Sequence, residues 1–396
     1  MLLLDLTHTS HTPARTGVQR VCRSLHAALA RRDSVHPVTF DPFEQRWRSL
    51  DPTEMRGLTA PARGCRRSAQ WSWGARWRGR WRRWTRQPAR ALPMAFEGIV
   101  VPEIFSPAVA GALPSLFAQG RPRVAVFHDA IPLRLPEYTP AKTVARFPAY
   151  LQELTQFDGI AAVSEDSRAA LIDYWNWLEL PRTPPVAVLP LGTDSAAIHA
   201  PAAPAATPGE KSPAPEPVVL SVGSIEGRKN HLALLNACEN LWIAGERFRL
   251  HLIGLARPET ARPALERIAQ LRKAGRPLQY DGVVDDAALA AAYARCLFTV
   301  YPSVMEGFGL PVIESLQHQR ACICSARGAL GEVSRAGGCL ALDDLNTPAL
   351  TDAIRTLLHD APRRDALVRE AEQRRFRTWD EYVDDLLLWL DQLRAV

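Results

Sequence analysis

The amino-acid sequence predicts an α/β protein built of two doubly wound domains. Three observations point there. At 396 residues the chain exceeds what one ordinary hydrophobic core accommodates. Short β-branched or apolar runs alternate with helical patterns, the rhythm of parallel βαβ units with helices on both sheet faces. Between the two rhythmic halves lies a stretch rich in Ala and Pro, 200–217, which reads as a linker.

In chain order, the N-terminal domain spans 1–199. Its candidate strands are Leu2–Leu6, Pro37–Phe40, Gly98–Val101, Val124–Phe127, Gly159–Val163 and Val186–Leu189. The second domain, 218–375, is cleaner. Its strands fall at Pro217–Ile225, Phe248–Leu255, Leu278–Val284, Leu297–Ser303 and Ala321–Ser325. Helical patterns lie at Leu232–Ala244, Glu259–Lys273, Ala287–Arg295 and Val312–Gln319. A last amphipathic helix, about Asp380–Leu393 within 376–396, has no strand after it. It suits a cap on either domain, including one that crosses back to the first. The two domains are expected to face one another, with ligands beyond the carboxyl ends of their strands.

Composition excludes several classes. The 47% hydrophobic and 23% charged residues are those of a soluble globular protein, and no run is long enough to span a membrane. Met1 to Leu4 is interrupted at once by Asp5 and lacks a basic lead-in, so it reads as a strand rather than a signal peptide. Cysteines at 22, 65, 238, 296, 322, 324 and 339 sit mostly in apolar runs. Cys322 and Cys324 have no second pair to complete a zinc site, so buried thiols in a reducing cytoplasm are expected. The net charge of +6 is concentrated: residues 63–90 hold ten Arg and no acid, leaving −4 on the remainder. An anionic partner would have to meet that one segment.

Two strand ends carry unusual residues. After the run ending at Ser303 comes Val304-Met-Glu306-Gly307-Phe308-Gly309-Leu310-Pro311-Val-Ile-Glu314. Gly307 and Gly309 leave backbone amides open to a phosphate or sugar hydroxyl, and Pro311 fits the first helical position. Glu306 on the loop and Glu314 in the first helical turn would bind separate hydroxyls of one ligand. Equally, Glu314 would complement the helix dipole and Glu306 would be a solvated loop residue. The second strand end is Gly223-Ser-Ile-Glu-Gly-Arg228-Lys229-Asn. Its adjacent cations beside a helix start suit a diphosphate, although an ordinary solvated turn reads the same way.

These residues resemble a known family. Glu306-Gly-Phe-Gly-Leu-Pro…Glu314 is similar to the signature of the retaining glycosyltransferases of family 4, and Gly223-Ser-Ile-Glu-Gly-Arg-Lys-Asn to their phosphate-binding turn. Tyr280-Asp-Gly-Val-Val-Asp-Asp and then Tyr301-Pro-Ser follow in the family's order. The resemblance covers nearly the whole chain, most strongly 217–335. It implies the two-domain GT-B fold and a metal-independent, retaining transfer from a nucleoside-diphosphate sugar, with no cofactor. Arg228 and Lys229 would neutralise the donor diphosphate. Glu306 would act at the reaction centre on donor-sugar hydroxyls, helped by Gly307, Phe308, Gly309 and Leu310, and Glu314 would hold the ribose diol. Ser224 stands where many members carry Arg, and the Arg-Lys-Asn form resembles a subgroup of polysaccharide and O-antigen mannosyltransferases.

On the N-terminal side the resemblance adds further residues. Thr16 would cap a helix start at Gly17, whose loop would border the donor phosphates, and Arg20 lies one turn on. A strand-end His is more often structural, but His128 resembles the family's His-Asp segment near the reaction centre. Asp129 would orient it or the acceptor, and Ser164 would donate to the same site. No residue pair reads as nucleophile plus acid/base, which suits the family's front-face route, in which the departing phosphate takes the acceptor proton.

Trp73, Trp77, Trp81 and Trp84 fall within one stripe of about 80° on a helix, with Arg76, Arg78, Arg80, Arg82, Arg83 and Arg86 around the rest. That is the pattern of an interfacial helix on an anionic membrane surface. Core packing and nucleic-acid binding compete with it, and Gly74 and Gly79 weaken the helix. The expectation is a cytoplasmic enzyme, peripheral at the inner face of the plasma membrane, with no nucleic acid as partner. It would move a sugar, first of all mannose from GDP-mannose, to a polyprenyl-linked glycan. A UDP-sugar or GDP-rhamnose donor is the nearest alternative, and a non-catalytic nucleic-acid or sugar-nucleotide binder the more distant one. A sugar-nucleotide epimerase or a glycogen-type phosphorylase fits less well, the first for want of acid/base residues and the second for length.

Overall fold

The computed structural model describes residues 1–14, 17–59, 69–85, 87, 92–93, 95–193 and 216–395. Thr16, Cys65, Arg86 and nearly all of the expected linker lie outside them. The chain divides into two compact units: Met1–Ala130 with Arg146–Gly192 and Arg377–Val396, and Ile131–Ala145 with Thr193–Phe376.

The first unit is built on seven strands: β1 (Leu2–Asp5), β2 (Val35–Asp41), β3 (Arg46–Ser49), β4 (Gly98–Val101), β5 (Arg123–Phe127), β6 (Gly159–Ala162) and β7 (Val186–Val188). Their order is β3-β2-β1-β4-β5-β6-β7, parallel throughout except for β3, which runs antiparallel to β2 at the edge. Leu2, Leu3, Leu4, Val100, Val124 and Ile160 are fully buried, as befits strands covered on both faces. The helices of this part of the chain are α1 (Gly17–Ala30), α2 (Pro52–Thr59), α3 (Trp73–Thr85), α4 (Pro107–Phe117), α5 (Ile131–Arg134), α6 (Ala141–Glu153) and α7 (Glu165–Trp177). The strand order reverses between β1 and β4, which opens a crevice at their carboxyl ends.

The second unit has six parallel strands: β8 (Val218–Val222), β9 (Arg249–Ile253), β10 (Leu278–Asp281), β11 (Phe298–Tyr301), β12 (Cys322–Ser325) and β13 (Cys339–Leu342). They are ordered β10-β9-β8-β11-β12-β13, with the reversal between β8 and β11. Around them lie α8 (His231–Ile243), α9 (Pro258–Lys273), α10 (Asp286–Arg295), α11 (Leu310–Gln317), α12 (Gly328–Ser334), α13 (Thr347–His359) and α14 (Ala361–Glu372). The doubly wound α/β class expected from the sequence is the observed one.

Domain boundaries differ from the expected ones in two places. The first break falls after Gly192 rather than 199, and Ile131–Ala145 belongs to the second unit. Close packing explains that excursion. Tyr138 lies over Gly227, where a Cβ would come within 2.3 Å of its ring. The last helix, α15 (Trp379–Arg394), belongs to the first unit and packs against α1. A capping box of Thr378 and Glu381 starts it, Tyr382, Val383, Leu386 and Leu390 are fully buried, and Arg31 meets Asp380 at 2.8 Å.

Candidate functional site

In the second unit the two unusual segments follow β8 and β11, the strands flanking the reversal. The turn after β8 forms a 3-10 helix at Gly227–Lys229, and Asn230, in the left-handed conformation (φ 54°), leads into α8. The loop after β11 is stitched to this turn through backbone: Val304 N–H donates to the Arg228 carbonyl at 2.9 Å. Side chains complete the junction. Arg228 Nη1 donates to the Met305 carbonyl at 2.9 Å and to Glu306 Oε1 at 2.6 Å. Lys229 Nζ meets the same oxygen at 2.5 Å, and the Ser303 and Tyr301 hydroxyls donate to it at 2.5 and 2.9 Å. Lys229 also donates to the Tyr301 hydroxyl.

The Glu306 side chain is 10% exposed, so the solvated-loop alternative is excluded. Burial alone would push its carboxyl up, but Arg228 and then Lys229 outweigh it and bring it down to about 2. The Lys229 ammonium is lowered by burial, with Glu306 opposing. On its far side Arg228 Nη2 meets Glu226 Oε1 at 2.9 Å, and Glu226 is itself held by Ser224 at 3.0 Å and Arg257 at 3.3 Å. Two cations and a carboxylate thus converge at the carboxyl ends of β8 and β11, where open parallel sheets bind ligands. Such a group can bind phosphate through the cations and hydroxyls through the carboxylate.

Residues 205–374, which include all of these side chains, match the family model described as "Glycosyl transferases group 1". The chain carries a glycosyl transferases group 1 domain. Over 333 residues it is 26% identical to the serotype-specific mannosyltransferase WbdA of Escherichia coli, a match covering 80% of this chain and 37% of WbdA. It therefore spans little more than a third of that relative. Over 267 residues it is 29% identical to the O-antigen chain mannosyltransferase B of Escherichia coli, covering 65% of this chain and 67% of that one. Among solved structures it is similar to Anabaena Alr3699/HepE, crystallised with UDP and glucose, with a TM-score of 0.66 and 15% identity over 98% of this chain and 99% of that one. That likeness shows the fold, GT-B, as expected.

Other expectations for the group 1 domain are revised. Gly309, not Leu310, is the N-cap of α11, so Pro311 takes the second helical position and Glu314 lies beyond the first turn. Its carboxylate therefore does more than complement the helix dipole. Glu314 Oε2 accepts from the Tyr293 hydroxyl at 3.2 Å, and the Tyr293 ring stacks on His318 with centroids 4.7 Å apart. Gly309 is required by its own backbone, at φ 110°, and by Leu330, whose Cδ2 would lie 2.8 Å from a Cβ there. The turn itself therefore demands glycine at this position. Phe308 packs against the apolar cluster under α11. Gly307 lies in the loop between Glu306 and α11.

Sequence reasoning assigned no role to Tyr293, Glu226 or Arg257. Tyr293 sits on α10, and nothing in its local sequence links it to Glu314. Tyr301 and Ser303 were visible only as parts of a familiar tripeptide.

In the first unit, His128 directly follows β5 and is 6% exposed. Its Nε2 lies 2.7 Å from the Pro102 carbonyl, an acceptor only, so Nε2 carries the hydrogen and Nδ1 is left as the ring's acceptor. Burial lowers its pKa, which keeps the imidazole neutral. Asp129 is adjacent, at the same strand end. Ser164, expected to donate to the same site, has a structural role. Buried, it is the N-cap of α7, accepting from Ser167 N–H at 3.1 Å. Gly17 opens α1 with clear space where a Cβ would stand, and Arg20 is half-buried on the same helix.

The tryptophan segment is a helix, α3, and its stripe faces outward: Trp73, Trp77, Trp81 and Trp84 are 82%, 60%, 41% and 83% exposed. Core packing is excluded for them. Gly79, expected to weaken the helix, is instead its docking point. Buried opposite the stripe, it lies where a Cβ would meet Phe43 at 2.8 Å.

Proposed function

We propose that the protein is a retaining glycosyltransferase that moves a sugar from a nucleoside-diphosphate donor to a lipid-linked glycan in polysaccharide or O-antigen synthesis. The observation that carries this reading is the convergence of Arg228, Lys229 and Glu306 at the ends of β8 and β11. Departure of a sugar leaves charge on a diphosphate, and two positioned cations stabilise that charge without requiring a metal ion. Glu306 then serves the sugar hydroxyls and Glu314 the ribose diol. His128, neutral and with Nδ1 as acceptor, is suited to receive a hydrogen bond from a sugar hydroxyl. The leaving phosphate itself takes the acceptor proton.

The names of the two mannosyltransferase relatives favour mannose as the sugar, and GDP-mannose is proposed as its donor. Membrane attachment is proposed for α3. Among the described residues no helix is long and apolar enough to cross a membrane. Four exposed indoles flanked by arginines on one surface helix suit a peripheral position on anionic lipid.

Transfer assays with purified protein, GDP-mannose and other nucleotide sugars, and a lipid-linked acceptor test the proposal. Glu306→Ala is expected to abolish transfer while circular dichroism stays unchanged. Undiminished transfer by that variant would overturn the reading.

A further inference from the structure

The cations proposed to receive a diphosphate already hold a carboxylate. Arg228 Nη1 and Lys229 Nζ both converge on Glu306 Oε1, at 2.6 and 2.5 Å. Arg228 bears Glu226 on its other edge. Counting side chains in contact, Arg228, Lys229 and Arg257 face Glu226 and Glu306, so Glu306 halves, from +2 to +1, the net charge that the cluster offers a second anion while it stays in place. Both anions need the same N–H groups, and those groups point one way. A diphosphate has more charge and more acceptor oxygens than one carboxylate, so it is the stronger competitor for a forked guanidinium and an ammonium.

Resting on the donor-site reading above, we propose that Glu306 is the internal counter-ion that a donor diphosphate displaces, and that Tyr301 and Ser303 are positioning residues that retain the released carboxylate. The rest of the cluster is built for such an exchange. Glu226 keeps Arg228 in place from the Nη2 side, anchored by Ser224 at 3.0 Å and Arg257 at 3.3 Å. On Arg228 it is the bond from Nη1 to Glu306 that changes partner, together with the Lys229 bond to the same oxygen. Lys229 lies over the Tyr301 ring, 4.5 Å from its centroid, so the ammonium pivots on an aromatic face as it turns. Tyr301 and Ser303 are neutral donors to Glu306 and carry no charge that a phosphate would claim. Once released, Glu306 still has two hydroxyl donors and is free of its cations, the state in which it can accept hydrogen bonds from a sugar. The diphosphate thus loads the sugar-binding carboxylate, and sugar recognition follows phosphate recognition.

The exchange makes a prediction opposite to that of a simple contact residue. Glu306→Gln removes the competing charge but keeps the shape. By calorimetric titration with GDP and with UDP, the variant is expected to bind its preferred nucleoside diphosphate about tenfold more tightly than the unsubstituted protein. The corresponding nucleoside, guanosine or uridine, is expected to bind both alike, because it does not reach the cations. Tyr301→Phe is expected to lower kcat for sugar transfer severalfold and leave diphosphate affinity within about twofold. A folded Glu306→Gln protein that binds the diphosphate no better, or more weakly, overturns the exchange and leaves the donor-site reading standing. Failure of the unsubstituted protein and the variant to bind either diphosphate overturns the donor-site reading itself. If circular dichroism shows that Glu306→Gln does not fold, Glu306→Asp, which draws the carboxylate back by one methylene, takes its place with the same expected tightening.

Discussion

The imidazole of His11 and the indole of Trp71 lie face to face, with centroids 3.6 Å apart and planes 21° from parallel. Gln70 N–H adds a bond of 2.6 Å to the His11 carbonyl, so the chain entering α3 is fastened to the turn that follows β1. Beneath the stack, His11 Nε2 meets Glu54 at 2.9 Å, and Arg48 binds both oxygens of Glu54 at 2.7 Å. Trp71→Ala removes the stack and half-exposes this ionic cluster. It is expected to cost the first unit about 1–3 kcal/mol, read from denaturant midpoints.

The outward tryptophans should behave differently. Trp84 is 83% exposed, and Trp84→Ser is expected to change stability by less than about 0.5 kcal/mol. The same substitution, with Trp73→Ser, is expected to reduce sedimentation with vesicles containing anionic lipid and leave nucleotide binding intact. Unchanged sedimentation would remove α3 from the membrane surface.

Asp5 gives a test in pH. At the carboxyl end of β1 it is fully buried, and burial, with Glu103 beside it, pushes its carboxyl up to about 7 from 3.8, against hydrogen bonds from Thr7. Between those values the folded chain binds more protons than the unfolded one. This residue's contribution to stability is thus fully present below pH 3.8 and is lost as pH rises through 7. Asp5→Asn is expected to flatten that slope and raise stability at pH 8 by about 1–3 kcal/mol, as judged by denaturation at a series of pH values.

If Glu314 holds the donor's ribose diol as proposed, Tyr293 bears on the donor through it. Tyr293→Phe deletes the hydroxyl that donates to Glu314 at 3.2 Å but leaves the ring stacked on His318. Steady-state kinetics are expected to show KM for the nucleotide sugar raised about three- to tenfold with kcat nearly unchanged, since the ribose diol is held in ground and transition states alike.

Gly309→Ala places a Cβ at φ 110°, 2.8 Å from Leu330 Cδ2. A loss of about 1–3 kcal/mol in the second unit is expected from thermal or denaturant unfolding.

Much of this architecture is legible in the sequence, because strands buried on both faces are written as short unbroken apolar runs; Gly98–Val101 is one such run and is β4. β3 was missed because its inward residue is Arg48, a charge that reads as solvated until Asp41 and Glu54 are seen to bury it. β13 was missed because Cys339–Leu342 is short and half-exposed. At the site, residue types and strand-end positions identified Arg228, Lys229 and Glu306, but not that the three contact each other. That fact depends on register across the reversal between β8 and β11, which no local spacing encodes. That Ser164 caps α7 was not legible either, because a capping serine and a ligand-binding serine occupy the same place after a strand.

The return of α15 to the first unit has a consequence for synthesis. Its leucines sit under glycines of the first sheet: Leu390 lies 3.4 Å from where a Cβ on Gly98 would stand, and Leu393 2.6 Å from one on Gly159. A nascent chain therefore has every strand of both sheets outside the ribosome before the first unit receives its final helix. Until then that unit waits with an apolar groove beside α1, while the second unit has all its own parts. A fragment ending at Gly192 would carry the same bare groove permanently, and so would a chain clipped before Arg377.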